Sequence, residues 1–390
     1  MSVPTMSFAA GQKSGRLTWH GIRTMAGLEF RLRIRAGRWR WLLVAWFLLL
    51  AGFTTLLRLA LERSESDQVG VMQSGGEAFV QEAVAVARPL GTPMFGGLML
   101  FLLGLALLIV PALTAQSVNG DRDRGVLAPL QTTLLSPAEI ALGKLLAAWT
   151  TSLVFLAAAV PLVVWSMAEG GVEIIRAIVA MAVVVLLVGV VCAVALCISS
   201  MLCRGTTSAV LSYLFVFALT ILTPITFGLA LTATTTTRTI TQHATPAEPS
   251  RDLTPQPQTL ISEESVADPS KVWWLLAPNP FVILADAAPR AQRRCDPRTD
   301  HAISDPLDPL AELGNSARQA RLSVDQTADF GRCEGDGDVL ADQTPPGKKV
   351  GPVWPYGLAF DLLIGLGAVA LTIRRLRTPT RKLPTGVRVA

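Results

Sequence analysis

Four alternating charges, Asp121-Arg122-Asp123-Arg124, stand between two apolar stretches, and Gly125 follows them. The segment reads as built to be gripped by another protein. Val126, Leu127, Leu130 and Leu134 then fall at helical spacing, which predicts a short amphipathic helix parallel to the membrane plane. Pro129 fits only in the first turn of that helix. Ser136 is a good N-cap, Pro137 suits the first helical position, and Glu139 lies three residues after the serine, as in a capping box. The new helix continues past Gly143 and Lys144 into an apolar run. A compact helix held between a glycine hinge and a capped restart suits the transfer of force from a soluble partner to two spans. An ordinary inside loop with satisfied charges is the plainer reading of the same residues.

Other chemistry is sparse. Gly143-Lys144 lacks the preceding glycine spacing and the following Ser or Thr of a phosphate-binding loop, so the chain does not bind ATP by that route. His20, His243 and His301 have no metal-ligand spacing, and no nucleophile-elbow pattern occurs. Cys192, Cys197 and Cys203 lie on or just after an apolar run and read as small core residues. Cys295 and Cys333 lie apart from them, and an isolated pair outside the cytoplasm is most simply a disulfide, with two free thiols the other reading. Two ionisable residues fall within apolar runs. Asp361 lies about 8 residues, roughly 12 Å, inside the outer end of the last run, and Arg58 lies in the outer part of the first. They pair with each other, or Asp361 faces a cavity, or Arg58 snorkels outward while Asp361 sits protonated or near headgroups.

The elements that carry these residues follow from composition. The chain of 390 residues is 51% hydrophobic and only 16% charged, which predicts a polytopic membrane protein. A helix needs about 20 apolar residues to cross the hydrocarbon core. Six segments qualify: 41–61, 94–115, 145–165, 174–201, 207–232 and 353–373. They are continuous and lack a period of two, so barrel strands are excluded. The first is read as a span and not a cleaved leader.

Charge sets the orientation. Residues 1–40 carry eight basic side chains against a single acid, Glu29, and the tail after the last span is basic with no acid. The loop after the first span is mostly acidic. The positive-inside rule puts both termini in the cytoplasm. The basic balance is therefore topological and does not point to nucleic acid. Residues 28–40 alternate as a strand would. Ahead of a span, a basic interfacial helix on the anionic leaflet and a disordered basic anchor are the competing readings.

The expected organisation is a basic cytoplasmic segment over 1–40, five spans over 41–232 with a cytoplasmic coupling loop at 117–143, an extracytoplasmic segment over 233–352, a sixth span over 353–376 and a basic tail over 377–390. The outer segment begins Thr-rich and is full of proline, which argues against a dense core. Within it, Trp273 to Leu284 is too short to span and predicts an interfacial or re-entrant pair of short helices broken at Pro278 and Pro280.

The stretch from Pro111 through Lys144 resembles ABC-2 type transporter permeases. The likeness rests on Asp121-Arg122-Asp123-Arg124-Gly125, Leu127, Leu130, Ser136-Pro137-Ala138-Glu139-Ile140 and Gly143-Lys144. Pro278-Asn279-Pro280-Phe281 is similar to a motif often found before the last span of such proteins. Asp123 stands where glutamate is common in the family, and Val126 where threonine is common. The resemblance implies an all-α polytopic membrane protein with six transmembrane helices and a large extracytoplasmic insert between helices 5 and 6. It implies a permease subunit of an exporter that pairs with a second permease, as a homodimer or heterodimer, and docks on a separate ABC ATP-binding subunit. ATP and Mg would then belong to that partner, with no cofactor bound by this chain. Asp121 to Arg124 would set charge pairing with the partner, Val126, Leu127 and Leu130 would pack into its groove, and Ser136 and Glu139 would stiffen the lever. Composition points to a bacterial plasma membrane as the site. The competing class is a membrane scaffold or sensor whose outer segment binds a partner without transport.

Overall fold

The computed structural model describes residues 18–35, 38–74, 89–123, 125, 136–202, 204–243, 259–288, 294–295, 302–303, 308–322 and 351–377. Nine longer helices occur among them. They are α1 (Trp19–Arg35), α2 (Arg38–Ser74), α3 (Gly91–Thr114), α4 (Pro137–Ala168), α5 (Ile174–Met201), α6 (Gly205–Ala233), α7 (Pro280–Ala287), α8 (Pro309–Gln319) and α9 (Trp354–Leu376). Six of them, α2 to α6 and α9, are long and apolar enough to cross a membrane. A short helix, Asn119–Asp123, prolongs α3.

Burial ranks the spans. Among the six, α5 is the most enclosed, while α2 and α6 keep most of their apolar side chains exposed, Leu48, Leu56, Val210 and Leu229 among them. In water such faces would drive aggregation; in hydrocarbon they are simply solvated. The main core is a cluster that runs from Trp46 and Leu50 on α2 through Phe95 to Val110 on α3, Phe155 on α4 and Val184 to Val191 on α5. Trp46 fixes α2 to α4: its indole donates to the Phe155 carbonyl at 3.0 Å, and the two rings meet edge to face. Trp149 does the same between α4 and α5, donating to the Val185 carbonyl at 3.0 Å. A β-carbon at Gly189 would come within 3.2 Å of that indole nitrogen, so glycine there lets the ring lie flat on α5.

The N-terminal stretch is a helix, which removes the strand reading of its alternation. It begins earlier than the 28–40 reading placed it, at Trp19. Gly21, Ile22 and Met25 are buried, and α1 packs along the start of α4. Gly143 is the point of closest approach: a β-carbon there would sit 2.6 Å from that of Met25.

The segment between α6 and α9 holds more order than its composition suggested. The Thr-rich run forms β1 (Thr235–His243), paired antiparallel with β2 (Thr259–Ala267) from Thr235↔Ala267 to His243↔Thr259. The all-α expectation thus holds for the spans and fails here. The cause is local: threonine is β-branched and stiff at χ1, which favours an extended chain however polar it is. The base is closed by Asp268 N–H donating to the Thr234 carbonyl at 2.7 Å. The Asp268 carboxylate accepts from the Ser270 hydroxyl, which holds it below the ordinary range. A second, two-residue pair joins β3 (Arg294–Cys295) to β4 (Ala302–Ile303).

The Trp273–Leu284 stretch also departs from expectation. Two 3-10 turns lead to Asn279, and Pro280 then starts α7 instead of breaking a helix. Proline is well placed there because the first helical N–H has no partner to lose. Ile283 and Leu284 have no exposed surface and join the main core. Thus α7 is a short helix wedged against α3, α5, α8 and α9.

Candidate functional site

The predicted capping box is formed. Ser136 is extended at the N-cap and its hydroxyl accepts from Glu139 N–H at 3.3 Å, while the Glu139 carboxylate accepts from Ser136 N–H at 2.7 Å, with Pro137 at the first position. Glu139 does more than cap its own helix. The backbone N–H and hydroxyl of Thr18 donate to its second oxygen at 2.8 and 2.5 Å. The entry of α4 is therefore pinned to the start of α1.

One turn further on, Lys144 is completely buried. Its ammonium donates to the carboxylates of Glu29 on α1 and Asp121 at the end of the second span, and to the Ser117 carbonyl at 3.1 Å. All three N–H bonds are used. Burying a charge is costly unless it is paired and fully hydrogen-bonded, and both conditions are met here. The other end of the loop is held too: the Ser199 hydroxyl of α5 accepts from Val118 and Asn119 N–H at 3.2 and 3.3 Å. Gly125 has φ of 68°, a left-handed value that glycine takes without strain.

The structure thus brings Asp121, Ser136, Pro137 and Glu139 together with Lys144 at the base of the loop. It turns the Asp121 carboxylate inward on Lys144. Arg122 and Asp123 lie on the short helix Asn119–Asp123, with side chains outside the described residues. Arg124, Val126, Leu127 and Leu130 lie wholly outside them. So does Cys333, while Cys295 is described only as part of β3. Cys192 and Cys197 are buried on α5.

Arg58 and Asp361 do not pair. Arg58 meets Glu62 and Glu169, each at 3.2 Å, and lies over the Trp165 ring, 5.9 Å from its centroid. The reason is packing: the middle of α2, around Arg58, rests on the C-terminal end of α4, whereas Asp361 belongs to the face of α9 that is buried with Gly357 and Gly365. Asp361 is 1% exposed, and its Oδ1 has no hydrogen-bond partner among the described residues.

Three features escaped the sequence reading. Arg176, in the first turn of α5, forms a buried pair with Asp308 at 2.5 Å, and Asp308 also caps α8 through Leu310 and Ala311 N–H. Asp286 binds Arg318 and accepts from Val353 and Trp354 N–H at 2.6 and 2.9 Å, which caps α9. Asn279 accepts from Phe281 N–H at 2.9 Å while donating to the Thr220 carbonyl of α6 at 3.0 Å. A usable signal existed for Glu29, the one acid among the N-terminal arginines, and for Arg176, a charge at the edge of an apolar run.

Residues 23–285, from within α1 to the end of α7, match the family model described as ABC-2 family transporter protein. No curated protein matches the chain.

Proposed function

Because this chain belongs to the ABC-2 family of transporter proteins, we propose that it is the membrane permease subunit of an ATP-driven exporter, working with a separate ATP-binding subunit. The observation that carries this reading is the Lys144 node. One buried ammonium joins the exit of the second span, the entry of the third and the N-terminal helix. A push on the loop between Asp123 and Ser136 would therefore reach three elements at once through the Lys144 ammonium.

In this reading ATP and Mg bind the partner, since the chain has no phosphate-binding loop of its own. Closure of the partner displaces residues 124–135. Arg122, Asp123 and Arg124 meet its rim charges, and Val126, Leu127 and Leu130 enter its groove. Asp121, held by Lys144, anchors the lever instead of contacting the partner. The subunit sits in a bacterial plasma membrane with both termini cytoplasmic and residues 233–352 outside, paired with a second permease. The scaffold reading is not favoured by membership of a transporter family.

The test is co-purification of the ATP-binding subunit with wild type and with Leu130→Asp. A charge on the docking face would be desolvated without a pair, at several kcal/mol, and about 1.4 kcal/mol is tenfold in affinity. The wild type should retain the subunit and the variant should lose it while still folding in the membrane. Equal retention would reduce residues 119–135 to a loop.

A further inference from the structure

Nearly every buried charge in the described spans has its answer. Lys144 has Glu29 and Asp121, Arg176 has Asp308, and Glu139 has Thr18 and Ser136. Asp361 is the exception. It lies seven residues into α9, about 10 Å along the axis, on the buried stripe of Gly357, Leu358, Asp361 and Gly365. Its neighbours one turn away on either side are apolar or backbone: Gly357 abuts the Ala277 carbonyl and Ile283, and Gly365 abuts Val190 of α5. The charged groups on the elements packed against α9 are already committed, Arg176 on α5 to Asp308, Lys144 on α4 to its two carboxylates, and Asp286 on α7 to Arg318 and the α9 cap. Among the described residues no donor or cation meets Asp361.

We infer that Asp361 is the recognition carboxylate for a lipophilic organic cation that enters from the bilayer at the seam between α9 and α5. The inference rests on the transporter reading above and names its substrate class. An intramembrane ionisable side chain is costly and marks a site by default. A recognition charge must also lack a resident counter-ion, because cargo would otherwise have to displace it. A metal ion fits poorly: hard cations take six or more oxygens, whereas Asp361 offers one carboxylate, and the backbone of α9 is unbroken helix from Trp354 to Leu376. Apolar surroundings suit an ammonium or phosphonium with a hydrophobic body. Phe360 and Leu363 are exposed on the other side of the same helix, so the cation reaches Asp361 by parting α9 from α5.

The test uses this chain in complex with its ATP-binding subunit and tetraphenylphosphonium as the probe. Tetraphenylborate, of the same shape and opposite charge, is the control. Equilibrium dialysis should show saturable binding of the phosphonium to wild type, with the borate not competing. Asp361→Asn should weaken binding at least tenfold, and Asp361→Glu, which keeps the charge, should bind more tightly than Asp361→Asn. Size-exclusion chromatography of each variant checks assembly. Equal phosphonium affinity in wild type and Asp361→Asn overturns the proposal, as does the absence of saturable binding to wild type. If the ATP-binding subunit fails to co-purify, the coupling reading falls, yet dialysis on this chain alone still decides the role of Asp361.

Discussion

The side-chain amide of Asn279 donates to the backbone carbonyl of Thr220 at 3.0 Å, across 59 residues of sequence. Thr220 lies in the one π-helical turn of α6, Ala218–Leu222. A π turn shifts the i→i+4 ladder and leaves backbone groups in need of partners, and such turns cluster at functional positions. The same amide donates to the Thr223 hydroxyl at 2.9 Å, and its oxygen caps α7. One buried side chain thus closes the distortion in α6 and starts α7.

Asn279→Ala should therefore cost about 1 kcal/mol for the lost cap and a further 1–3 kcal/mol or so for the orphaned carbonyl. Asn279→Asp keeps the acceptor but aims a carboxylate at the Thr220 carbonyl, so it should be no better. Thermal unfolding in detergent decides this, and an Asp variant that melts with the wild type would show the Thr220 contact to be idle.

Lys144→Met leaves the half-buried carboxylates of Glu29 and Asp121 without their shared cation. Removing one member of a buried ion pair costs about 3–5 kcal/mol, so the variant should be strongly destabilised. Neutralising both acids as well, with Glu29→Gln and Asp121→Asn, should restore much of the loss. A cycle over these substitutions measures the coupling; additive losses would mean that the three groups act independently.

Arg176→Met should free the N-terminal end of α8, because Asp308 holds Arg176 and the first N–H groups of that helix together. Amide exchange over Pro309–Gln319 should rise well above wild type while exchange in α4 stays unchanged. Unaltered protection of α8 would place its stability elsewhere.

Cys295 and Cys333 should be bridged in protein exported to an oxidising compartment. Mass spectrometry of non-reduced peptides reads this directly, and two free thiols would reject it.

Local signals were legible. The runs 41–61 and 353–373 fall inside the helices Arg38–Ser74 and within three residues of Trp354–Leu376, because hydrocarbon thickness fixes a length that hydropathy alone can read. Ser136 and Glu139 were legible for the same reason: a capping box lies within four residues. What failed was long-range or context-bound. Glu29 and Lys144 are 115 residues apart, and nothing in either neighbourhood names the other. Leu130 and the side chain of Asp123, weighted most in the sequence, lie outside the described residues. The Thr-rich run argues against a dense core, yet it still forms β1, because threonine favours an extended chain without one. Arg58 was offered Asp361 as partner because both lay in apolar runs, and helix packing gave it Glu169 instead.

The cap that Asp286 places on Trp354 also orders events during synthesis. The two residues are 68 positions apart, so the carboxylate is in place well before the ribosome completes the last span. That span has the lowest hydropathy of the six and carries Asp361 within it, so it is the least able to enter hydrocarbon unaided. A prepared acceptor for its first N–H groups makes α7 a receptor for the chain's own final helix. Loss of Asp286 would then be felt while the last span is being placed, before the finished fold exists.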